Sequence, residues 1–260
     1  IEISLQTTQG TEYTVQRSLT VQPYVTIPEA FARSDVDTSM QGFRIRAYQI
    51  EGSHPNTIAF TEEMLAGLHG PNIAGDVGVD AEGYLTWMDV LDFGYDNKTG
   101  ATSVGNFDTG YDFLLINLPG PTATSLDSSA LEVLAFVEFP HAGLYTMGIN
   151  SDDGFCLQTG LNPKDRFGIV VGQYDGDRSA ADSIFSVFVP KPGIYPFRLI
   201  WWNGTGSAGV EWFTVQEDGT KVLLNDMMNP DISLKVYPTA ASEPPYVSAV
   251  SPAPGATQVR

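Results

Sequence analysis

Residues 143–155 read GLYTMGINSDDGF. A strand-forming stretch runs into the turn marker Ser151-Asp152-Asp153-Gly154, and a second strand, Gly154–Gln158, leads away from it. Working outward, the same alternation of strand and turn signals continues on both sides. Strands are expected at Leu131–Phe139, Gly143–Asn150, Phe167–Val171, Ile184–Val189, Ile194–Trp202, Gly209–Val215 and Lys221–Leu224. Pro140-His141-Ala142-Gly143, Pro190-Lys191-Pro192-Gly193, Asn203-Gly204 and Asp218-Gly219 punctuate them. So many short strands with almost no helix define an all-β antiparallel sandwich or barrel.

Towards the N-terminus the signals thin out. ISLQT and SLTVQPYVTI read as strands within Ile1–Val25 and just beyond, with Pro23 and Pro28 suited to edge or entry positions. A polar stretch, Ser34–Ser39, leads to Gly42–Ile50, where Phe43, Ile45, Ala47 and Gln49 alternate with Arg44, Arg46 and Tyr48 as a half-buried strand does. The main domain is expected to start here and to span 40–230, with 1–39 closing a preceding segment or forming an extension. TEEMLAGLH, 61–69, predicts a short helix with Thr61 as N-cap. Gly83–Leu118 scatters Tyr84, Trp87, Phe93, Tyr95, Phe107, Tyr111 and Phe113 among Gly, Asp and Asn, which reads as long loops with short strands whose rings pack over a sheet edge. After Asn229-Pro230 a Pro-, Ala- and Ser-rich linker, 231–260, is expected, stiffened at Pro244-Pro245.

Composition narrows the function. The 260 residues carry 13 basic and 31 acidic side chains, a net charge of -18. That balance repels phosphate backbones and anionic membranes, so neither nucleic acid nor membrane insertion is expected, and it favours hard cations such as calcium. The single cysteine, Cys156, leaves no internal disulfide and is expected to be a small buried side chain. No run of about 20 apolar residues is present. The opening IEISLQ has neither a start Met nor a signal peptide, so the chain is expected to be a piece of a longer one.

Two signatures support a family resemblance. GLYTMGINSDDGF at 143–155 resembles the hallmark of PA14 domains, and PGIYPFRLIWWN at 192–203 resembles their second signature strand, continued by Glu211-Trp212 and Asp218-Gly219-Thr220. The opening segments GFRIRAYQ and LAG also resemble the start of such a domain, so the likeness runs from Gly42 to Asp226. It implies a PA14-type antiparallel β-sandwich with one or two short helices. Val247–Thr257 resembles the first strand of a bacterial immunoglobulin-like repeat, which implies one module, monomeric in itself, of a large secreted or cell-surface protein.

Adjacent aspartates repel unless a cation or a proton relieves them. Calcium needs six to eight oxygens, and a loop of this kind can supply several. In the calcium-dependent PA14 lectins of yeast surfaces the aspartates share a cis peptide bond, an asparagine adds its side-chain oxygen and two carbonyls follow. The resemblance carries these roles to Asp152 and Asp153, to Asn203, and to the carbonyls of Thr205 and Ser207. It implies that vicinal sugar hydroxyls complete the calcium shell, with Trp202 and Tyr174 as stacking candidates. Trp201 and Trp202 point to opposite faces of one strand, so at least one is core. The alternative is a turn whose aspartates merely cap backbone N–H groups, in a structural spacer or protein-docking module. Asp175-Gly176-Asp177 reads as a solvated hairpin loop or a second cation site. Catalysis is not expected: His54, His69 and His141 stand apart, and no nucleophile setting, HExxH or phosphate-cradling loop is present. Asn97-Lys98-Thr99 and Asn203-Gly204-Thr205 fit the glycosylation sequon, which would be idle in a bacterial protein.

Overall fold

The computed structural model describes residues 24–108 and 110–247, together with the backbone of an antiparallel pair, β1 (Glu2–Gln6) and β2 (Glu12–Gln16). Two sheets form the body. The first runs in the order β10 (Ile169–Tyr174), β9 (Gly154–Thr159), β12 (Gly193–Asn203), β7 (Ser129–Phe139), β4 (Phe43–Gln49), β5 (Leu85–Trp87), with β15 (Val236–Tyr237) also on β7. The second runs β14 (Lys221–Leu223), β13 (Ala208–Val215), β8 (Gly143–Asp152), β11 (Ala181–Val189), β3 (Tyr24–Thr26), with β6 (Asp92–Tyr95) also on β13. All pairs are antiparallel except β3 with β11. Of the strands beyond the expected 40–230 span, β3 and β15 are built into these sheets, whereas β1 and β2 pair with each other. The immunoglobulin-like reading of Val247–Thr257 lies, from residue 248 on, outside the described residues.

Alternation sorts β12 into two faces. Tyr195, Phe197, Leu199 and Trp201 enter the core between the sheets with Val133, Val137, Ile149, Leu157 and Trp212. Ile200 and Trp202 face the other way, against Ala130, Cys156 and the helix α1 (Ile58–Leu65) with Met64 and Leu65. Both tryptophans are therefore core. Pro196 is tolerated inside β12, where it lies opposite Phe136 of β7, because its backbone polar side faces β9, its carbonyl accepting from the Thr159 hydroxyl, and the β9 ladder begins only at Phe197.

Helix α1 starts earlier than the sequence predicts. Thr57 is its N-cap, accepting from the Phe60 N–H, whereas Thr61 is buried, its hydroxyl donating to the Thr57 carbonyl. The 83–118 segment supplies β5, β6 and a 3-10 turn, Phe113–Ile116, and its rings go deeper than a sheet edge: Phe113 stacks on Trp201 and touches Phe93. Among the described residues, no helix is long and apolar enough to cross a membrane.

Three connections cross between the sheets at one end of the sandwich. β8 leaves the second sheet at Asp152 and β9 enters the first at Gly154. β10 returns through residues 175–180 to β11, and β12 returns through residues 204–207 to β13. Backbone contacts lock these crossings together, the Asp153 N–H donating to the Trp202 carbonyl.

Candidate functional site

The crossings bring Asp152 and Asp153 into one cluster with Asn203. The Asp152–Asp153 peptide is cis, as the resemblance implies. Both side chains are buried, 8% and 3% exposed. Asp153 accepts from the Arg178 N–H at 3.1 Å, the Gly204 N–H at 2.8 Å and the Asn56 amide at 3.2 Å. Burial, then the neighbouring Asp153 charge, pushes the Asp152 carboxyl up to about 7. Burial also pushes Asp153 up to about 6, opposed by the Gly204 N–H and reinforced by Asp177.

Asn203 is fully buried; its amide N–H donates to the Leu126 carbonyl at 3.0 Å, while its Oδ1 has no hydrogen-bond partner. The Oδ1 of Asn56 is likewise buried and unpartnered. Buried amide oxygens are normally satisfied, so two orphans, one on Asn56, which bonds Asp153, and one on Asn203, whose neighbour Gly204 also bonds Asp153, are together with the two carboxylates the kind of donor set a hard cation seeks. Calcium fits these residues on that ground. Among the described residues no three His, Cys, Asp or Glu side chains converge on a metal-binding arrangement. The protein would therefore offer two carboxylates, with amide and backbone oxygens making up the rest.

Several residues of this cluster have no signature in the sequence. Asn56 sits at a left-handed φ of 47° ahead of α1, held by its own N–H donating to Nδ1 of His54. Burial drives the His54 imidazolium down to about 4, so the ring is neutral. With Thr61 donating to the Thr57 carbonyl, the His54 Nε2–H donates to the Thr61 oxygen, which fixes the tautomer that accepts from Asn56. Asp127 takes the Gly206 N–H, and Ser128 donates to the Gly204 carbonyl, clamping the 204–207 loop. Arg178 bonds Ser151 and Ser183 and lies 4.3 Å from the Tyr174 ring centroid.

The other expected residues fare differently. Thr205 is exposed in the loop, and Ser207 is half-buried with its hydroxyl donating to Asn97. Trp202 is 0% exposed and stacked on His54, so its expected role as a sugar platform is corrected: α1 covers the face of the sheet it points from. Tyr174 keeps 37% of its surface, one ring face being occupied by Arg178. Asp175-Gly176-Asp177 is divided: Asp175 accepts from the Ile58 N–H at the start of α1 at 2.7 Å, and Asp177 lies near enough to Asp153 to raise its carboxyl. The Asn203 sequon is buried.

No protein-family model matches the chain, and no curated protein matches it. Solved structures do. The PA14 domain of the antifreeze protein MpAFP superposes with a TM-score of 0.50 at 16% identity, covering 79% of this chain and 95% of that one. A PA14 sugar-binding domain from an RTX adhesin gives 0.47 at 15% identity, covering 72% and 96%. The A domain of epithelial adhesin 9 from Candida glabrata, solved with Galb1-3GlcNAc, gives 0.49 at 13% identity, covering 85% and 98%. The fold is thus a PA14-type β-sandwich.

Proposed function

We propose that this chain is a calcium-dependent carbohydrate-binding module of a secreted or cell-surface protein. Asp152, Asp153 and Asn203 hold the ion, Thr205 and Ser207 lend backbone carbonyls, and neighbouring hydroxyls of a glycan fill the remaining positions. One observation supports the reading: Asp153 is held by the Asn56 amide and the Arg178 and Gly204 N–H groups at the sheet-crossing loops, and the Oδ1 atoms of Asn56 and of Asn203, the residue before Gly204, are buried without donors. When bound, calcium supplies a Lewis-acidic centre for vicinal hydroxyls. The chain's own residues do the positioning, with the N–H groups of Arg178 and Gly204 orienting the Asp153 carboxylate. A shell with only two carboxylates belongs with weak sites, on the order of 10⁻⁴–10⁻³ M, which suits calcium levels outside cells. Tyr174 is the remaining aromatic surface beside the site.

A spacer whose aspartates only cap turns draws support from the three N–H donors on Asp153, yet it leaves the Asn56 and Asn203 oxygens unexplained. Titration calorimetry separates the two. The lectin reading expects a calcium heat, then a glycan-array response that disappears with chelator; Asp153→Ala removes both while the far-ultraviolet spectrum keeps its sheet signal. Calcium affinity retained in Asp153→Ala would sink the site, and calcium binding with no glycan response would leave the spacer.

A further inference from the structure

Away from the calcium loop, the outer face of the first sheet changes character. Four residues back along β12 from Trp202, a strand distance of roughly 13 Å, the covering apolar patch gives way to Arg198 on β12, Glu132 on β7 and Arg46 on β4. Here a cavity of about 350 Å³ opens, lined by Arg46, Glu132, Lys164, Arg166 and Arg198, with Tyr84 and Tyr246 on its walls. Four of the chain's 13 basic side chains line this one cavity, an uneven distribution in so acidic a molecule.

Each cation has a carboxylate. Arg198 bonds Glu62 and Glu132, Arg46 bonds Glu132 at 2.6 Å, Arg166 bonds Glu62 at 2.6 Å, and Lys164 lies 3.0 Å from Glu82 and 2.9 Å from Glu243. The four cations and the four carboxylates cancel, so no uncompensated charge remains to attract an ion. Hydrogen-bonding capacity does remain: the Arg46 side chain keeps 26% of its surface, and while its Nη2 is taken by Glu132 and the Leu65 carbonyl, its Nη1 has no acceptor among the described residues. An apolar ligand would desolvate these groups without return. A hydroxyl, which donates and accepts at once, can bridge a guanidinium to a carboxylate while preserving neutrality. The volume lies in the range of small-molecule pockets.

We propose that this cavity is a second ligand site, independent of the calcium loop, for a neutral hydroxyl-rich ligand the size of a sugar ring. Arg46 is the donor such a ligand engages, and Lys164, pinned between Glu82 and Glu243 from different segments, closes the rim. The proposal does not rest on calcium, so it is tested without it.

Methyl glycosides of glucose, galactose and mannose are titrated into the chain in chelator, followed by heteronuclear NMR, with glucuronate as the charged comparison. At least one neutral glycoside is expected to shift resonances of the cavity residues with the same affinity in Asp153→Ala. Ala66→Trp, at the exposed end of α1 on the cavity wall, is expected to block binding without touching a charge. Arg46→Gln is expected to weaken it roughly tenfold or more, the usual loss of a charge-assisted hydrogen bond. Absence of any shift at the cavity, a salt-sensitive preference for glucuronate, or unchanged affinity in folded Ala66→Trp would each overturn the proposal.

Discussion

A methyl group at position 154 would overlap the Trp202 ring and come within 2.7 Å of the Tyr174 carbonyl oxygen. The glycine of the Asp-Asp-Gly turn is thus demanded by close packing, for the chain must change sheets directly under a buried indole. Gly154→Ala is expected to cost about 1–3 kcal/mol, the usual penalty of overpacking, and to disturb calcium affinity through the adjoining Asp153. Urea unfolding checks the first part and calorimetry the second; an unshifted midpoint would contradict the packing argument. At this scale Asp152, Asp153 and Asn203 were legible because they stand inside recognisable strand-turn signatures. Asn56 was not, since its bond to Asp153 spans 97 residues and nothing local marks it. Trp202 was misread for a related reason: strand alternation separates Trp201 from Trp202, but it cannot say that a helix lies over the outer face.

The elements of the second half could be read to within a few residues because Gly, Pro and Asp turns bracket each strand, while the first half is built from pieces whose backbone partners are remote. β6 has four residues and is fixed by Gly94 donating to the Tyr111 carbonyl and Tyr111 donating to the Asp92 carbonyl. No period of two emerges from so short a run. Helix α1 was recognised by its apolar face and displaced by its cap, because Thr57 and Thr61 are both threonines ahead of apolar residues and only the backbone decides between them. Thr57 has extended dihedrals and its oxygen accepts from the Phe60 N–H, 3.2 Å away. Thr57→Ala is accordingly expected to destabilise the chain by about 1 kcal/mol, the usual worth of an N-cap. Chemical denaturation of Thr57→Ala beside Thr57→Ser checks this: the serine variant should keep most of the stability, and equal losses in both would show that the methyl group, not the cap, matters. Because the same turn carries His54 and Asn56 towards Asp153, fraying here should also slacken the Asp152-Asp153 turn.

For the molecule as a whole, the buried charges on the outer face decide how its stability responds to mutation and to acid. Arg198 is 2% exposed and bonds Glu62 on α1 and Glu132 on β7, tying the helix to the sheet. Burial alone would raise the Glu132 carboxyl, but the charges of Arg198 and Arg46 outweigh it and hold the group at about 2. Removing one member of such a network leaves the others desolvated and underpaired, at roughly 3–5 kcal/mol, whereas replacing the set with apolar side chains is often neutral. Arg198→Met should therefore be less stable than the triple variant Arg198→Met, Glu62→Leu, Glu132→Leu, whose leftover Arg46 and Arg166 lie at the cavity rim and can extend to solvent. The pH dependence follows from the same linkage. A carboxylate whose folded pKa is depressed contributes stability that is complete above its unfolded value of 4.5 and is lost as pH falls towards 2, so the native chain should weaken through that window. In Arg198→Met the Glu132 carboxylate loses its main partner and binds protons more readily when folded, so the variant's deficit relative to the native chain should narrow on acidification from pH 5 towards about 3. Denaturant midpoints of the native chain, single and triple variants across that range, in chelator, test both statements; a single variant as stable as the triple at neutral pH, or a deficit that widens in acid, would show that the network does not govern the stability of this face.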